Sequence, residues 1–395
     1  TGTPPRIDAR SIDFTLADAE PGSDRPLWFS RDGREGRLDR LVLPPLEVYP
    51  ARTEGWRTQL SCYLVHTNPE GHRIIRANVE RSPMFNGAIQ GVGPRYCPSI
   101  EDKVVRFADK PQHQLFLEPE GLGTLEYYCN GLATSLPMDV QLEVIRSIRG
   151  LEHAEIMRFG YAIEYDFVPP TQTTPWLESK ACEGLFLAGQ INGTSGYEEA
   201  AAQGIMAGIN AALKLQGRPP LVLSRSEAYI GVLIDDLVTL GTNEPYRMFT
   251  SRAEHRMVLR QDNADQRLTP HGRRLGLIDN ARWRAFEEKR LAIERATAYL
   301  VQHSHEGISL AHLLRRPGTT FADLEKIDPG LAELRLPDDV RQQVEIQTKY
   351  EGYIRLEEDR IAKMRRLEEK PIPPGLDFMS ISSIRFEARE KLARI

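Results

Sequence analysis

The sequence has no long apolar run, few cysteines and no excess of positive charge. No stretch of about 18 apolar residues occurs, which excludes a membrane-spanning helix and a membrane partner. The four cysteines (Cys62, Cys97, Cys129 and Cys182) form no C-x-x-C pair, so we expect no metal site, no disulfide framework and a reducing cytoplasm. The net charge is −5, so contacts with nucleic acid must come from local patches rather than from bulk charge.

Two further absences concern a cofactor loop and the chain ends. Nothing matches G-x-G-x-x-G after a strand, so half of a dinucleotide site is absent on motif grounds. The chain begins with Thr1 in what reads as a mid-chain turn, and residues 384–395 stop within a helical pattern. We therefore expect that the natural chain extends beyond both ends.

The sequence divides into three regions that differ in composition and in hydrophobic pattern. Residues up to about 91 are rich in Pro, Arg and Asp, with β-like stretches at 62–65 and 73–75. From 93 to about 216, short apolar runs alternate with glycine loops and helical stretches, which indicates an α/β region with strands at 114–117, 162–165 and 185–188. From 224 onward helical spacing dominates, and the prolines at 219 and 220 mark the boundary.

The segment 93–103 (GPRYCPSIEDK) places a cysteine at a helix start. Ser99 and Asp102 form a capping-box pattern ahead of an apolar helical face. Cys97 would precede the helix amino terminus, and Arg95 adds positive charge, conditions that lower the pKa of a thiol. The alternative, a small inert cysteine, stays open. Cys182 and Cys129 are interpreted as core or loop residues.

A second informative segment runs from 184 to 212. A short apolar strand is followed by a glycine loop, 189–197, and then by a helix rich in Ala and Gly that can pack closely on a sheet or a flat cofactor. A glycine loop that opens a helix presents amide hydrogens to an anion, such as the reduced pyrimidine edge of a flavin. The candidate cofactor-binding residues are Gly189, Gln190, Asn192, Gly193, Gly196, Tyr197 and Glu198.

Arginines recur in the third region. Arg252, Arg256 and Arg260 are spaced to share one helix face that Thr250 or Ser251 could cap, and Arg247 precedes them. Such a stripe suits phosphate contacts. The alternative is a solvated face that forms salt bridges with Glu254, Asp262 and Asp265.

Together these segments resemble the GidA/MnmG family along essentially the whole chain. Its two signature blocks are matched by 93–103 and by 188–204 (AGQINGTSGYEEAAAQG), and further family-like blocks lie at 1–6, 81–84, 134–137 and 244–254. The resemblance implies an α/β FAD-binding domain of glutathione-reductase type, incomplete here because the amino-terminal dinucleotide-binding segment is missing. It also implies an inserted α+β domain and an all-α carboxy-terminal domain. The expected limits are 1–8 and 93–217 for the FAD-binding domain, 9–92 for the insertion and 218–395 for the helical domain.

The resemblance also implies a function. Such enzymes use FAD, NADH and methylenetetrahydrofolate to join a one-carbon unit and glycine or ammonium to carbon 5 of the wobble uridine of tRNA. They work as cytoplasmic homodimers with a GTPase of the MnmE/TrmE family. Cys97 would act as a thiolate on carbon 6 or as a proton-transfer group, with Arg95 or Lys103 holding anionic groups. Arg247, Arg252, Arg256 and Arg260 would contact RNA.

Three alternative functions can be distinguished from the one that the resemblance implies. A folate- and FAD-dependent tRNA uracil methyltransferase shares the chemistry but is shorter and lacks the helical extension after Ser224. A non-catalytic scaffold that binds tRNA or a partner fits the absent phosphate loop. An NADH:disulfide oxidoreductase is disfavoured because no redox cysteine pair is present.

Overall fold

The computed structural model describes residues 2–22, 60–90, 98–121, 123–368, 370–373 and 375–393. The chain divides into two compact units. Unit 1 comprises Thr1–Pro169, Gln190–Ser195 and Thr242–Tyr246. Unit 2 comprises Pro170–Gly189, Gly196–Gly241 and Arg247–Ile395.

Unit 1 is built on a six-stranded sheet in which neighbouring strands are antiparallel. Its strands are β1 (Arg6–Asp8), β2 (Asp18–Glu20), β3 (Cys62–His66), β4 (Gln114–Pro119), β5 (Glu126–Asn130) and β6 (Ile156–Arg158). Their order across the sheet is β2-β3-β4-β5-β1-β6. The mixed α and β content predicted for this part of the chain is confirmed.

One face of this sheet carries the core of unit 1. Successive side chains in a strand point to opposite faces, so Leu115 and Leu117 of β4 are fully buried whereas Gln114 is exposed. Ile7 and Cys129 belong to the same buried cluster. Three helices add their apolar faces to it: α1 (Pro69–Asn78), α2 (Ile100–Arg106) and α3 (Met138–Arg146).

The described part of unit 2 is mainly helical, with loops, turns and a small hairpin of β7 (Ser304–His305) and β8 (Ile308–Ser309). Its helices are α4 (Tyr197–Leu215), α5 (Tyr229–Asp235), α6 (Ala264–Arg274), α7 (Asn280–Gln302), α8 (Leu310–Leu314), α9 (Phe321–Ile327), α10 (Pro329–Glu333), α11 (Asp338–Glu368) and α12 (Phe386–Leu392). Leucines of α7 to α10 and valines of α11 form one apolar core. The predicted helical carboxy-terminal region is confirmed. Across the described residues, every helix is too short or too polar to cross a bilayer.

Of the five strands predicted from short apolar stretches, two are confirmed and three are wrong. Those at 62–65 and 114–117 are confirmed by β3 and β4. The one at 73–75 is wrong because these residues lie in α1, which begins where the side chain of Asn68 accepts a hydrogen bond from Gly71 N. Those at 162–165 and 185–188 are also wrong, since Ala162 and Phe186 each form only one isolated bridge. A short apolar run does not by itself distinguish strand, helix and loop.

The predicted domain limits and the compact units divide the chain differently. The limits at 8/9 and 92/93 fall inside unit 1, whose single sheet pairs strands from both sides of each limit. The limit at 217/218 falls inside unit 2, just after α4. The predicted limits, and the glutathione-reductase type of the FAD-binding domain, stay predictions.

Gly160 provides a test of how tightly unit 1 is packed. A Cβ atom there would lie 2.4 Å from Thr3 O and 3.1 Å from Thr134 O, both on the backbone. We expect Gly160→Ala to lower the free energy of unfolding by about 1–3 kcal/mol. Gly123→Ala, where a Cβ would meet nothing within 4 Å, should stay within about 0.5 kcal/mol of wild type. Denaturant unfolding followed by circular dichroism measures both, and equal effects would contradict the close packing.

Candidate functional site

The helix predicted to follow Cys97 is present as α2. Ser99 is its N-cap, and the Ser99 hydroxyl accepts a hydrogen bond from Asp102 N at 3.3 Å. Cys97 and Arg95 lie outside the described residues, so their proposed catalytic roles stay predictions.

A buried carboxylate in the first turn of α2 joins three chain segments. Glu101 is fully buried, and its Oε1 accepts hydrogen bonds from Ser135 N (2.9 Å), Ser135 Oγ (3.1 Å) and Ser82 Oγ (3.3 Å). The two hydroxyl oxygens are 2.7 Å apart. Burial of a carboxylate is costly unless such bonds compensate it, so Glu101 fixes how segments 81–84, 98–103 and 134–137 meet.

Two further contacts extend this junction. Thr134 N donates to Thr3 O at 3.1 Å, which brings the first residues of the chain to the same place. Lys103, the third candidate catalytic residue, donates from Nζ to Gly131 O at 2.9 Å. Its ammonium group is therefore anchored on the backbone, and its predicted catalytic role stays a prediction.

The described cysteines differ in accessibility. Cys129 is fully buried in the core, and burial raises the pKa of its thiol to about 12, so it stays protonated and unreactive at neutral pH. Burial also raises the pKa of Cys62. Cys182 is exposed. The prediction that Cys129 and Cys182 are core or loop residues is confirmed.

In unit 1, the glycine loop is a compact turn. Gln190 donates from Nε2 to Asp166 O at 3.1 Å, and Asn192 is fully buried. Gly193 has φ +81°, a conformation that favours glycine, and its carbonyl accepts a hydrogen bond from Tyr246 N at 2.8 Å. The contact with Tyr246 connects two family-like blocks.

In unit 2, the loop leads into α4, which confirms the predicted helix. Gly189 has φ +80°, and the N-cap Gly196 offers no capping side chain. Tyr197 and Glu198 are largely exposed. Their roles in cofactor binding, like those of Gly189 and Gly196, are not tested by this geometry.

Glu199, which was not singled out from the sequence, is buried in the first turn of α4. Its Oε1 accepts a hydrogen bond from Met248 N at 2.7 Å, and its Oε2 has no hydrogen-bond partner among the described residues. A Cβ at position 196 would lie 1.6 Å from Oε2. A side chain at position 196 would therefore require the Glu199 carboxylate to move.

The helix predicted for the arginine stripe is wrong. A 3-10 turn spans Thr250–Arg252 with Phe249, not Thr250 or Ser251, as its N-cap, and turns follow up to Ala264, where α6 begins. Side chains that bind the local backbone outweigh helical spacing: Arg252 Nε donates to Arg247 O at 3.0 Å. Arg260 Nη1 donates to Met257 O at 2.6 Å.

The four candidate RNA-contact arginines differ in burial and in ion pairing. Arg260 is mostly buried and pairs with Asp262 at 3.1 Å, as the salt-bridge alternative predicted. Arg247 lies 3.8 Å from Glu199, and Arg252 lies 3.8 Å from Asp236. Arg256 is exposed and has no ion pair with another described residue. It is the one of the four that is most available to an external phosphate.

Arg225 and His255 hold this arginine segment in place, and neither residue belongs to a pattern that could have been recognised from the sequence. Arg225 donates to Glu254 (2.7 and 2.9 Å), to Asp236 (2.6 Å) and to Asp235 (2.9 Å). The bonds to Glu254 contribute most to a raised pKa of Arg225. His255 Nδ1 lies 2.6 Å from Glu357 Oε1, and both residues are buried. His255 and Glu357 are 102 positions apart, so only the fold brings them together.

Comparisons with known proteins match both units of the chain. The family model described as Glucose inhibited division protein A matches residues 1–219. The model of the tRNA modifying enzyme MnmG/GidA C-terminal helical domain matches residues 280–358. This chain belongs to the GidA family.

Individual GidA relatives match over the full chain. Proteins called tRNA uridine 5-carboxymethylaminomethyl modification enzyme MnmG are 51% identical in Ligilactobacillus salivarius and 50% identical in Bacillus subtilis, each over 100% of this chain. The chain spans 62% and 63% of their lengths. The crystal structure of Aquifex aeolicus GidA, form I, has 46% identity and a TM-score of 0.78, over 99% of this chain and 63% of that one.

In this GidA chain, Glu178 fixes the segment that precedes the glycine loop. Its carboxylate accepts hydrogen bonds from Lys214 Nζ (2.5 Å), Gly184 N (2.7 Å) and Trp176 Nε1 (3.0 Å). These bonds, first that from Lys214, lower the pKa of Glu178 to about 2. The last turn of α4 is thereby tied to residues 176–184.

We expect this pair to stabilise the protein in a pH-dependent way. Because the pKa of Glu178 falls from 4.5 to about 2 on folding, its contribution is fully present above about pH 4.5 and is lost as the pH falls toward 2. Lys214→Met should therefore lower the Tm at pH 7, and the difference from wild type should shrink below pH 4.5. Lys180→Met is the control, since Lys180 Nζ donates to Thr171 O rather than to a carboxylate. A Tm difference for Lys214→Met that is constant from pH 7 to 3 would contradict the assignment.

Proposed function

We propose that this chain is part of an FAD-dependent enzyme that modifies carbon 5 of the wobble uridine of tRNA. It would attach a carboxymethylaminomethyl or aminomethyl group, using methylenetetrahydrofolate, NADH and glycine or ammonium, together with a GTPase of the MnmE/TrmE family. The observation that carries the proposal is the match of this chain, over its full length, to relatives that carry the MnmG name. A cytoplasmic homodimer is expected from the family resemblance alone.

The proposed chemistry needs an activated carbon 5. A thiolate that adds to carbon 6 of uracil generates an enolate, whose carbon 5 attacks an iminium carbon derived from the folate. Loss of the proton from carbon 5 and departure of the thiolate then restore the ring. Cys97 is our candidate for this thiolate or for the proton-transfer group, and the Glu101 junction fixes the helix that begins three residues after it. Arg95 and Lys103 are candidates to hold anionic groups.

The first turn of α4 fits the ring system of a flavin. Because Gly196 supplies no capping side chain, amide hydrogens at this helix start can face an anionic pyrimidine edge. Gly204 and Gly208 share one helix face, and a Cβ at either would meet nothing within 4 Å, so a flat ring can approach the backbone. Gly189, Gln190, Asn192, Gly193, Tyr197 and Glu198 complete the proposed set. FAD, when bound, would supply the redox chemistry.

A folate-dependent tRNA uracil methyltransferase is a weaker candidate. That enzyme lacks the long helical extension, whereas residues 280–358 match the MnmG/GidA C-terminal helical domain. Nucleoside mass spectrometry separates the two, because the products differ in the group on carbon 5.

The first test replaces Cys97 in a chain that carries the upstream family segment. Parent and Cys97→Ala proteins are supplied with GTPase, GTP, FAD, NADH, methylenetetrahydrofolate, glycine or ammonium, and unmodified tRNA. We expect the parent to modify the wobble uridine, and Cys97→Ala to lose at least about 100-fold in rate because a general-base or nucleophilic group is gone. The exposed Cys182→Ala variant is the control and should keep normal activity.

Two readouts make this test decisive. Flavin absorbance confirms that each protein is folded and loaded. Wobble 5-fluorouridine tRNA lacks a removable proton at carbon 5, so a thiolate mechanism leaves a covalent adduct that Cys97→Ala cannot form. Normal turnover by the flavin-loaded variant would show that Cys97 is a packing residue. An inactive parent would favour the non-catalytic scaffold.

The second test concerns the four candidate RNA-contact residues, Arg247, Arg252, Arg256 and Arg260, of which Arg260 is mostly buried. Since Arg256 is exposed and unpaired among the described residues, we expect Arg256→Ala to weaken tRNA binding and to reduce the slope of log K against log salt by about 1. Arg260→Ala should instead lower the Tm and keep the salt slope, because Arg260 is paired with Asp262. Fluorescence anisotropy over a salt series measures the slope, and an unchanged slope for Arg256→Ala would remove it from the RNA surface.

A further inference from the structure

Two histidines of unit 1 lie together where α1 and β4 begin. His72 belongs to the first turn of α1 and is only 1% exposed, and His113 immediately precedes β4. Their ring centroids are 5.2 Å apart. Neither histidine has a role in the proposed reaction.

The side chain of Thr67 links the two histidines. Its Oγ1 accepts a hydrogen bond from His113 N at 2.8 Å, and Thr67 N donates to His113 O at 2.9 Å. Oγ1 also lies 2.7 Å from His72 Nε2, so the hydroxyl proton can be donated to a neutral imidazole. A doubly protonated His72 carries its own proton on Nε2. The bond would then have to reverse, and the hydroxyl proton would lose its acceptor.

The charged groups that act on the pair are cationic. A positive charge on His72 is repelled by Arg76 of α1 and by His113. A positive charge on His113 is repelled by Lys103 of α2 and by Lys110. The Nε2 atom of His113 is buried and has no hydrogen-bond partner among the described residues, so a proton there would meet no acceptor.

Acidic groups on the surrounding elements interact elsewhere. Those of α1, α2, α3 and β4 lie with Glu70 on Arg73, Glu101 on Ser135, Asp102 on Arg106, Asp139 on Arg81, Glu143 near Arg73 and Glu118 on Asn130. Asp109, in the turn before His113, is exposed. His66 of β3 alternates with the buried Val65 and points away from α1. Within the described ranges, neither His72 nor His113 forms an ion pair with a carboxylate.

Both rings are consequently neutral in the folded chain near pH 7. Burial first, and the neighbouring positive charges second, lower the pKa of His72 and the pKa of His113. A group with a lower pKa in the folded state binds fewer protons there than in the unfolded state. The stability that the neutral pair gives is therefore fully present above the unfolded pKa of about 6.5 and is lost as the pH falls below it.

We propose that His72, His113 and Thr67 form an acid-sensitive latch: a proton on either ring separates the amino-terminal end of α1 from residues 107–113. Because α1 packs against α2 and α3, opening of the latch also loosens these helices at that side. The inference rests on contacts within unit 1, requires neither FAD nor tRNA, and stands if the proposed function fails.

Hydrogen exchange of this chain, followed by mass spectrometry, tests the latch. Exchange times at pH 7.5 and pH 5.5 are matched for the intrinsic rate of exchange. We expect peptides that cover 67–78 and 107–114 to lose protection by about tenfold at pH 5.5, since one histidine that is neutral only in the closed state shifts the opening equilibrium by about that factor between pH 6.5 and 5.5. Peptides from α7 in unit 2 should keep their protection.

Glutamine variants separate the latch from general acid sensitivity. His72→Gln and His113→Gln cannot take up a proton, so each should reduce the loss of protection at pH 5.5, and the double variant should abolish it. His153→Gln is the matched control in unit 1, because His153 is exposed, and it should behave like wild type.

Each outcome decides the proposal. Unchanged protection of residues 67–78 in the wild-type chain at pH 5.5 would overturn it, and so would an equal loss of protection in the double variant. Loss of protection throughout unit 1, including β1 and β6, would show global acid unfolding instead of a latch. If His72→Gln does not fold at pH 7.5, the wild-type chain and His113→Gln still decide.

Discussion

The buried carboxylate of Glu101 is the interaction on which the arrangement of unit 1 depends most. It accepts hydrogen bonds from one backbone amide and two hydroxyls, and these come from two segments distant in sequence. Loss of any one donor would weaken the hydrogen bonding of this buried oxygen, at a cost of about 1–3 kcal/mol. The helix that follows Cys97, the serine of block 81–84 and the serine of block 134–137 are therefore constrained together rather than one by one.

In unit 2, ion pairs hold an irregular segment in place. The segment from 247 to 263 has little regular structure, so its backbone gains little from helical hydrogen bonds. Arg225 instead forms ion pairs with three carboxylates around it, and the buried pair of His255 and Glu357 attaches the segment to α11. An irregular segment held in this way can present Arg256 to solvent while Arg260 is retained inside. Regularly spaced arginines in this segment therefore do not form a uniform positively charged surface.

The two sequence blocks typical of the GidA family coincide with particular structural features of this chain. The two signature blocks lie at helix starts, α2 and α4, where glycine or serine controls the first turn. In both helices a buried glutamate, Glu101 or Glu199, lies within the first turn, and one of its oxygens has no hydrogen-bond partner in the described part of the chain. The Glu199 carboxylate lies so close to position 196 that a side chain there would displace it.

Patterns among neighbouring residues were enough to predict four features: the helix capped by Ser99, the alanine-rich helix after the glycine loop, strands β3 and β4, and the helical character of the carboxy-terminal region. Caps and periodicity act within a few residues, so they can be recognised without the fold. The structure was needed to establish that residues 73–75 are helical, that 162–165 and 185–188 form no strand, and that the arginine stripe is not a helix. It also brought Glu101 to Ser135, and His255 to Glu357. Such contacts join residues tens of positions apart, and no local pattern in the sequence records them.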